Sequence, residues 1–170
     1  MKKLLFILFL VFAGVVVFAW EPQDLTKYPA CMKEGTIITN IGIGLYVPGN
    51  MDRGSYFPAT RFSLDGNIGI GDKKLPFFIG GVASYWGFGS HYHHLSVGGR
   101  FGYHFNWGIE KLDTYAVSTA GWIIHFDQGG APLFGVNVGA RYFLNDWFGF
   151  WAEGGYSSFS LFDIGIAFKF

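Results

Sequence analysis

The sequence predicts an all-β protein, an eight-stranded antiparallel transmembrane up-and-down β-barrel preceded by a cleavable signal peptide. Three observations carry this. The chain opens on a basic, then apolar, then small-residue segment. The remainder alternates apolar residues with small or polar ones in runs of about ten, the length of a tilted membrane-spanning strand. The composition does not suit a water-facing surface: of 170 residues, 51% are hydrophobic, 21% aromatic and 14% charged, against about 25% charged in soluble domains. Disorder is excluded, because disordered chains are poor in aromatics and rich in charge. A formal net charge of +0 leaves no basic patch for nucleic acid. The single cysteine, Cys31, can make neither an internal disulfide nor a cysteine metal site.

Residues 1–19 read as the signal peptide. Lys2 and Lys3 supply the positive start, Leu4–Phe18 is unbroken apolar sequence, and Val17-Phe18-Ala19 sets small Ala19 before polar Glu21 and Asp24. The apolar run falls short of the roughly 20 residues of a spanning helix. Residues 20–34 lack alternation, carry Pro22 and Pro29, and are expected to form a periplasmic N-terminal tail.

Residues 35–170 are assigned to the barrel. Phe134, Val136, Val138, Ala140 and Tyr142 alternate with Gly135, Asn137, Gly139 and Arg141. Leu95, Val97, Phe101, Tyr103 and Phe105 alternate with Ser96, Gly98, Arg100, Gly102 and His104. Phe162, Ile164, Ile166, Phe168 and Phe170 alternate with Asp163, Gly165, Ala167 and Lys169. Period two is a strand signal, and only a closed barrel satisfies every backbone group in lipid. Strands are expected near 36–46, 61–71, 76–86, 93–105, 112–126, 133–143, 148–156 and 160–170. Turn chemistry lies between them at Gly71–Lys74, Asn106–Gly108, Asp127–Gly130 and Asn145-Asp146. The strand at 76–86 is apolar on both faces, and 112–126 only weakly favours Trp122 and Ile124 outward. If Arg141 and Glu153 both face inward, their hairpin needs an odd loop, Asn145-Asp146-Trp147.

The last eight residues resemble the C-terminal recognition signal of bacterial outer-membrane barrels. The resemblance assigns Asp163, Gly165, Phe168 and Phe170 to its polar, glycine and aromatic places. It implies an edge strand offered to the barrel-assembly machinery by β-augmentation. Residues 35–170 are similar to the small bacterial outer-membrane β-barrel superfamily, the OmpA-type transmembrane domain and its relatives. Gly135–Phe143 and Trp151–Tyr156 carry that similarity. The superfamily hosts adhesins, stabilising proteins, narrow channels and some lipid-modifying enzymes, so fold alone does not assign a function.

The candidate lumen charges are Arg61, Asp65, Arg100, Arg141, Glu153 and Asp163, with Asn40 and Asn67 beside them; Arg100 and Arg141 are expected to pair with Glu153. Inside an eight-stranded barrel such charges must pair, which favours a salt-bridged plug over an ion path. Trp86, Trp107, Trp147 and Tyr156 are expected in two aromatic interface belts. His91, His93 and His94 are weak metal candidates without a fourth ligand, so no metal or other cofactor is assigned. His94-Leu95-Ser96 resembles the His-x-Ser pair of outer-membrane lipid A deacylases. However, Val97 stands where that family carries asparagine, Glu110 falls at the opposite end of the barrel, and Ser96 faces the lumen. No peptidoglycan-binding module is expected after Phe170. The expectation is therefore a monomeric protein in the outer membrane of a diderm bacterium. Its partners would be the lipid bilayer and the barrel-assembly machinery, and its role structural or surface-interacting rather than enzymatic. The alternatives are a narrow channel for small solutes or ions, and a lipid A-modifying hydrolase.

Overall fold

The computed structural model describes residue 31 and residues 35–45, 59–67, 77–88, 92–126, 129–157 and 160–170; side chains are not described at 45, 59, 61, 63–67, 87, 88 and 92. The expected signal peptide lies outside the described residues, as does the N-terminal tail apart from Cys31.

The strands are β1 (Ile37–Leu45), β2 (Ala59–Asn67), β3 (Phe77–Phe88), β4 (Tyr92–Phe105), β5 (Leu112–His125), β6 (Gly129–Phe143), β7 (Phe148–Ser157) and β8 (Phe162–Lys169). Each pairs antiparallel with its chain neighbours, and β1 pairs with β8, so the sheet closes into a barrel. Ile37 and Phe170 exchange backbone hydrogen bonds of 3.1 and 2.9 Å at the seam. Closure leaves no unpaired edge along the sheet.

Register fixes which residues share a face. Arg100 pairs with Gly80 and Thr119, and Arg141 with Asp113 and Trp151. The inward rows of β4 to β7 thus carry Arg100, Asp113, Asn137, Arg141 and Glu153, all buried. The opposite rows leave Val97, Phe101, Trp122, Phe134, Val138 and Phe150 exposed. This apolar outer face and polar core invert the arrangement of a water-soluble protein.

The two ambiguous strands are resolved by the same parity. In β5, Trp122 and Ile124 face outward while Asp113, Tyr115, Val117 and Thr119 face inward. In β3, Phe78, Val82, Ser84 and Trp86 are buried, and Ile79 and Tyr85 are exposed. Strand β6 begins at Gly129 rather than near residue 133, because Gly129 and Gly130 pair with His125 and Ile124 and extend the ladder.

The β6–β7 connection is a three-residue loop. The Leu144 amide donates to the Phe148 carbonyl at 2.9 Å, enclosing Asn145, Asp146 and Trp147. Asn145 Oδ1 accepts from the amides of Trp147 (3.1 Å) and Phe148 (2.8 Å), a side chain standing in for a backbone turn. At the β4–β5 connection, Gly108 has φ +72° and its amide donates to Asn106 Oδ1 at 3.0 Å; glycine is suited to that left-handed conformation.

Cys31 lies against the inward cluster of Ile38, Phe143, Trp151 and Ala167, at the end of the barrel where β1 begins and β8 ends. This end is called the near end, and the opposite one the far end. At Cys31 the segment expected as a periplasmic tail touches the barrel's own core.

Candidate functional site

The inward polar side chains collect into two clusters joined by one tyrosine. Glu153 is the centre of the first. Arg100 Nη2 donates to its Oε2 at 2.7 Å, Tyr115 Oη to the same oxygen at 2.9 Å, and Asn137 Nδ2 to Oε1 at 2.8 Å. One carboxylate on β7 is thus held by donors from β4, β5 and β6. The Arg100 and Glu153 side chains have no solvent exposure, so the pair is charge-assisted and shielded.

Asp113 is the centre of the second cluster. Arg141 Nη1 donates to its Oδ2 at 2.8 Å, and His104 Nδ1 lies 2.6 Å from its Oδ1. The carboxylate held by Arg141 can only accept, so the imidazole proton sits on Nδ1. Arg141 Nε also reaches Asn40 Oδ1 on β1 at 3.1 Å. Tyr115 links the clusters: the Arg141 guanidinium lies 4.1 Å from its ring centroid while its hydroxyl holds Glu153. Gly139 makes room for it, because a Cβ there would lie 2.4 Å from Tyr115 Cζ.

Asp163 lies at the far end, where the single Ser160 Oγ proton is shared between its two carboxylate oxygens at 2.9 and 2.8 Å. Ser160 and Ser157 bond to one another beside it. Ser96 is buried and its Oγ donates to the Ser84 carbonyl at 3.4 Å, so its hydroxyl lies inside the barrel. At the near end burial pushes the Cys31 thiol up to about 11, the charge of Asp113 adding to the rise.

Several expected site residues need correction. The counter-ion of Arg141 is Asp113 rather than Glu153, because register sets Arg141 directly across the β5–β6 ladder from Asp113. Trp86 is not a belt residue: it is 8% exposed and packs inside with Val82, Ile123 and Leu133. Trp107 and Trp147 at the near end and Tyr156 at the far end are 60%, 56% and 60% exposed on the outer face. The weak histidine candidates do not converge. His93 turns outward to Tyr85 Oη at 2.6 Å, His94 turns inward onto Trp86, and His91 lies outside the described residues. Arg61 and Asp65 occupy β2 opposite Ser84 and Gly80; their side chains, like that of Asn67, lie outside the described set. Asp163, Gly165 and Phe168 lie on β8, the first of them inward, and Phe170 follows at the seam. Asp113, His104, Asn137 and Tyr115 were not singled out from sequence.

The chain matches no protein-family model and no curated protein sequence. Among solved structures it is similar to a chain from "De novo design of transmembrane beta-barrels", with TM-score 0.50 and 22% identity over 82% of this chain and 98% of that one. It is also similar to Ail, the attachment invasion locus protein of Yersinia pestis, with TM-score 0.45 and 16% identity over 81% of this chain and 99% of that one. The fold is that of a small transmembrane β-barrel.

Proposed function

We propose that this chain is an exported, OmpA-type, eight-stranded barrel of a bacterial outer membrane. Its closed polar lumen fits it for a structural or surface-interaction role, without an enzymatic activity of its own. The observation that carries the reading is the pair of clusters around Glu153 and Asp113. They tie β1, β4, β5, β6 and β7 together across the interior with buried side chains. Charges inside a membrane barrel either pair as structure or line a path; three donors on one carboxylate support structure. The outward aromatic and aliphatic rows supply the lipid-facing surface, with Trp107, Trp147 and Tyr156 at its two margins. The signal-peptide pattern of residues 1–19 supports export. The terminal residues Asp163, Gly165, Phe168 and Phe170 support recognition by the assembly machinery. With β1 and β8 closed on each other, the chain works as a monomer.

The test is membrane fractionation of cells expressing the full chain, with surface proteolysis and lipid A profiling of the same cells. The chain should separate with the outer membrane, be cut by external trypsin at Arg53, in the segment 46–58 that joins β1 to β2 and carries Pro48, Gly49 and Gly54, and leave the acyl pattern of lipid A unchanged. Recovery in the soluble periplasm would overturn the membrane reading. An altered acyl pattern would overturn the non-enzymatic one.

A further inference from the structure

At the far-end mouth of the barrel, β4 and β5 set two histidines directly opposite each other, His94 and His125. Both lie on the inward rows and both are half-buried. Their Nδ1 atoms are 2.5 Å apart, and the rings are nearly perpendicular at 86°. The His94 ring is stacked on Trp86 at 5.0 Å, and Trp86 is anchored in the interior cluster. The next position across the sheet from His125 is Gly129, with φ +88°, where a Cβ would meet nothing within 4 Å. The histidine pair is thus backed by an aromatic wall on one side and flanked on the other by a glycine that contributes no side chain.

We propose that His94 and His125 form a two-imidazole site for a late first-row divalent cation, with Cu2+ the preferred ion. The two Nδ1 atoms face each other in hydrogen-bond contact, one nitrogen donating and the other offering its lone pair. Both coordinating directions therefore converge on one point, and a metal ion can take the proton's place once that proton moves through water to Nε2 of the donor ring, leaving two neutral imidazoles with free Nδ1 lone pairs. Imidazole suits Cu2+, Ni2+ and Zn2+, and the order of affinity peaks at Cu2+. Geometry favours the same ion. With metal–nitrogen bonds of roughly 2.0 Å, a tetrahedral ion holds its nitrogens roughly 3.3 Å apart. Two adjacent corners of a tetragonal site lie only roughly 2.8 Å apart, which asks for the smaller opening of the pair. Among the described residues no group of three or more His, Cys, Asp or Glu side chains converges. Water or an exogenous donor entering beside Gly129 completes the coordination.

The experiment titrates Cu2+ into the untagged, refolded chain of residues 20–170 in a Cys31→Ser background, followed by electron paramagnetic resonance. One equivalent should bind with two imidazole nitrogens in its plane. His94→Gln and His125→Gln should each reduce this to one nitrogen and weaken binding by about tenfold or more. His93→Gln, on the outer face, should change neither. Unchanged spectra in both inward variants, or a loss confined to His93→Gln, would overturn the site. Should an inward variant fail to fold, the nitrogen count of the unsubstituted His pair decides, and fewer than two imidazoles would reject the proposal.

Discussion

Arg100 on β4 and Glu153 on β7 meet at 2.7 Å although 53 residues separate them. The strands that carry them are not neighbours in the sheet, so the bond crosses the barrel rather than running along a ladder. Tyr115 then carries the connection from Glu153 to Arg141, and Arg141 to Asp113 and Asn40. The interior is held by a continuous polar path where a soluble protein would place aliphatic side chains.

Removing one end of that bond leaves the other charge buried. Glu153→Ala should destabilise the barrel by about 3–5 kcal/mol, the usual cost of breaking a buried pair. Replacing both partners, as in Arg100→Met with Glu153→Leu, should recover only part of the loss, because the Tyr115 hydroxyl and the Asn137 amide still lose their acceptor. Urea unfolding in lipid vesicles measures both. A single-variant loss under about 1 kcal/mol would mean the pair is solvated like a surface bridge.

Val138 lies midway along the outward row of β6 and is 48% exposed. In lipid, Val138→Arg should cost about 2–4 kcal/mol. On a water-facing surface the same change would stay within about 0.5 kcal/mol. Unfolding in vesicles separates the two.

The β6–β7 loop depends on one acceptor. Asn145→Ala removes the bonds to the amides of Trp147 and Phe148 and should cost about 1 kcal/mol, while Asn145→Asp keeps an acceptor and should cost less. Deleting Asp146 makes the loop even and would turn one strand's inward row outward. That variant should fail to fold, as read by its electrophoretic mobility before and after heating.

Cys31 should be a slow nucleophile. Its thiol is raised from the usual 9.0 to about 11, mainly by burial, which leaves about a hundredfold less thiolate at neutral pH. Alkylation by iodoacetamide should be slower in the folded chain than in denaturant by about that factor, and should accelerate as pH rises towards 11. The sign for stability follows. The buried neutral thiol contributes fully below pH 9, and that contribution is lost as pH rises through about 11. Equal rates in the folded and denatured chain would show that Cys31 is not packed against Phe143 and Trp151.

The alternation of apolar with small or polar residues made most of the barrel legible. The expected strand at 36–46 encloses β1, and the one at 148–156 differs from β7 by a single residue. The inward facing of Arg100, Arg141 and Glu153 followed from the same parity. Asp113 was harder to find, because it opens a strand whose outward row holds Thr114, Ala116, Ser118 and Ala120. Such small residues contrast weakly with the polar row. Trp86 was misread as a belt residue because β3 is apolar on both faces. Only the register decides it: Gly80 lies opposite Arg100 and Trp86 opposite His94, so even positions of both strands share a face and Arg100 inward sets Trp86 inward; strands ending at 86 and starting at 93 do not carry that parity. The pairing of Arg141 with Asp113 depends on the β5–β6 register, which local periodicity does not encode.

The central claim is that side chains fill the barrel. Single-channel recording of refolded residues 20–170 in a planar bilayer tests it most directly, with folding confirmed on the same preparation. The account predicts a silent membrane. Reproducible discrete conductance steps would contradict it, and would make Arg100, Asp113, Arg141 and Glu153 the lining of a pore.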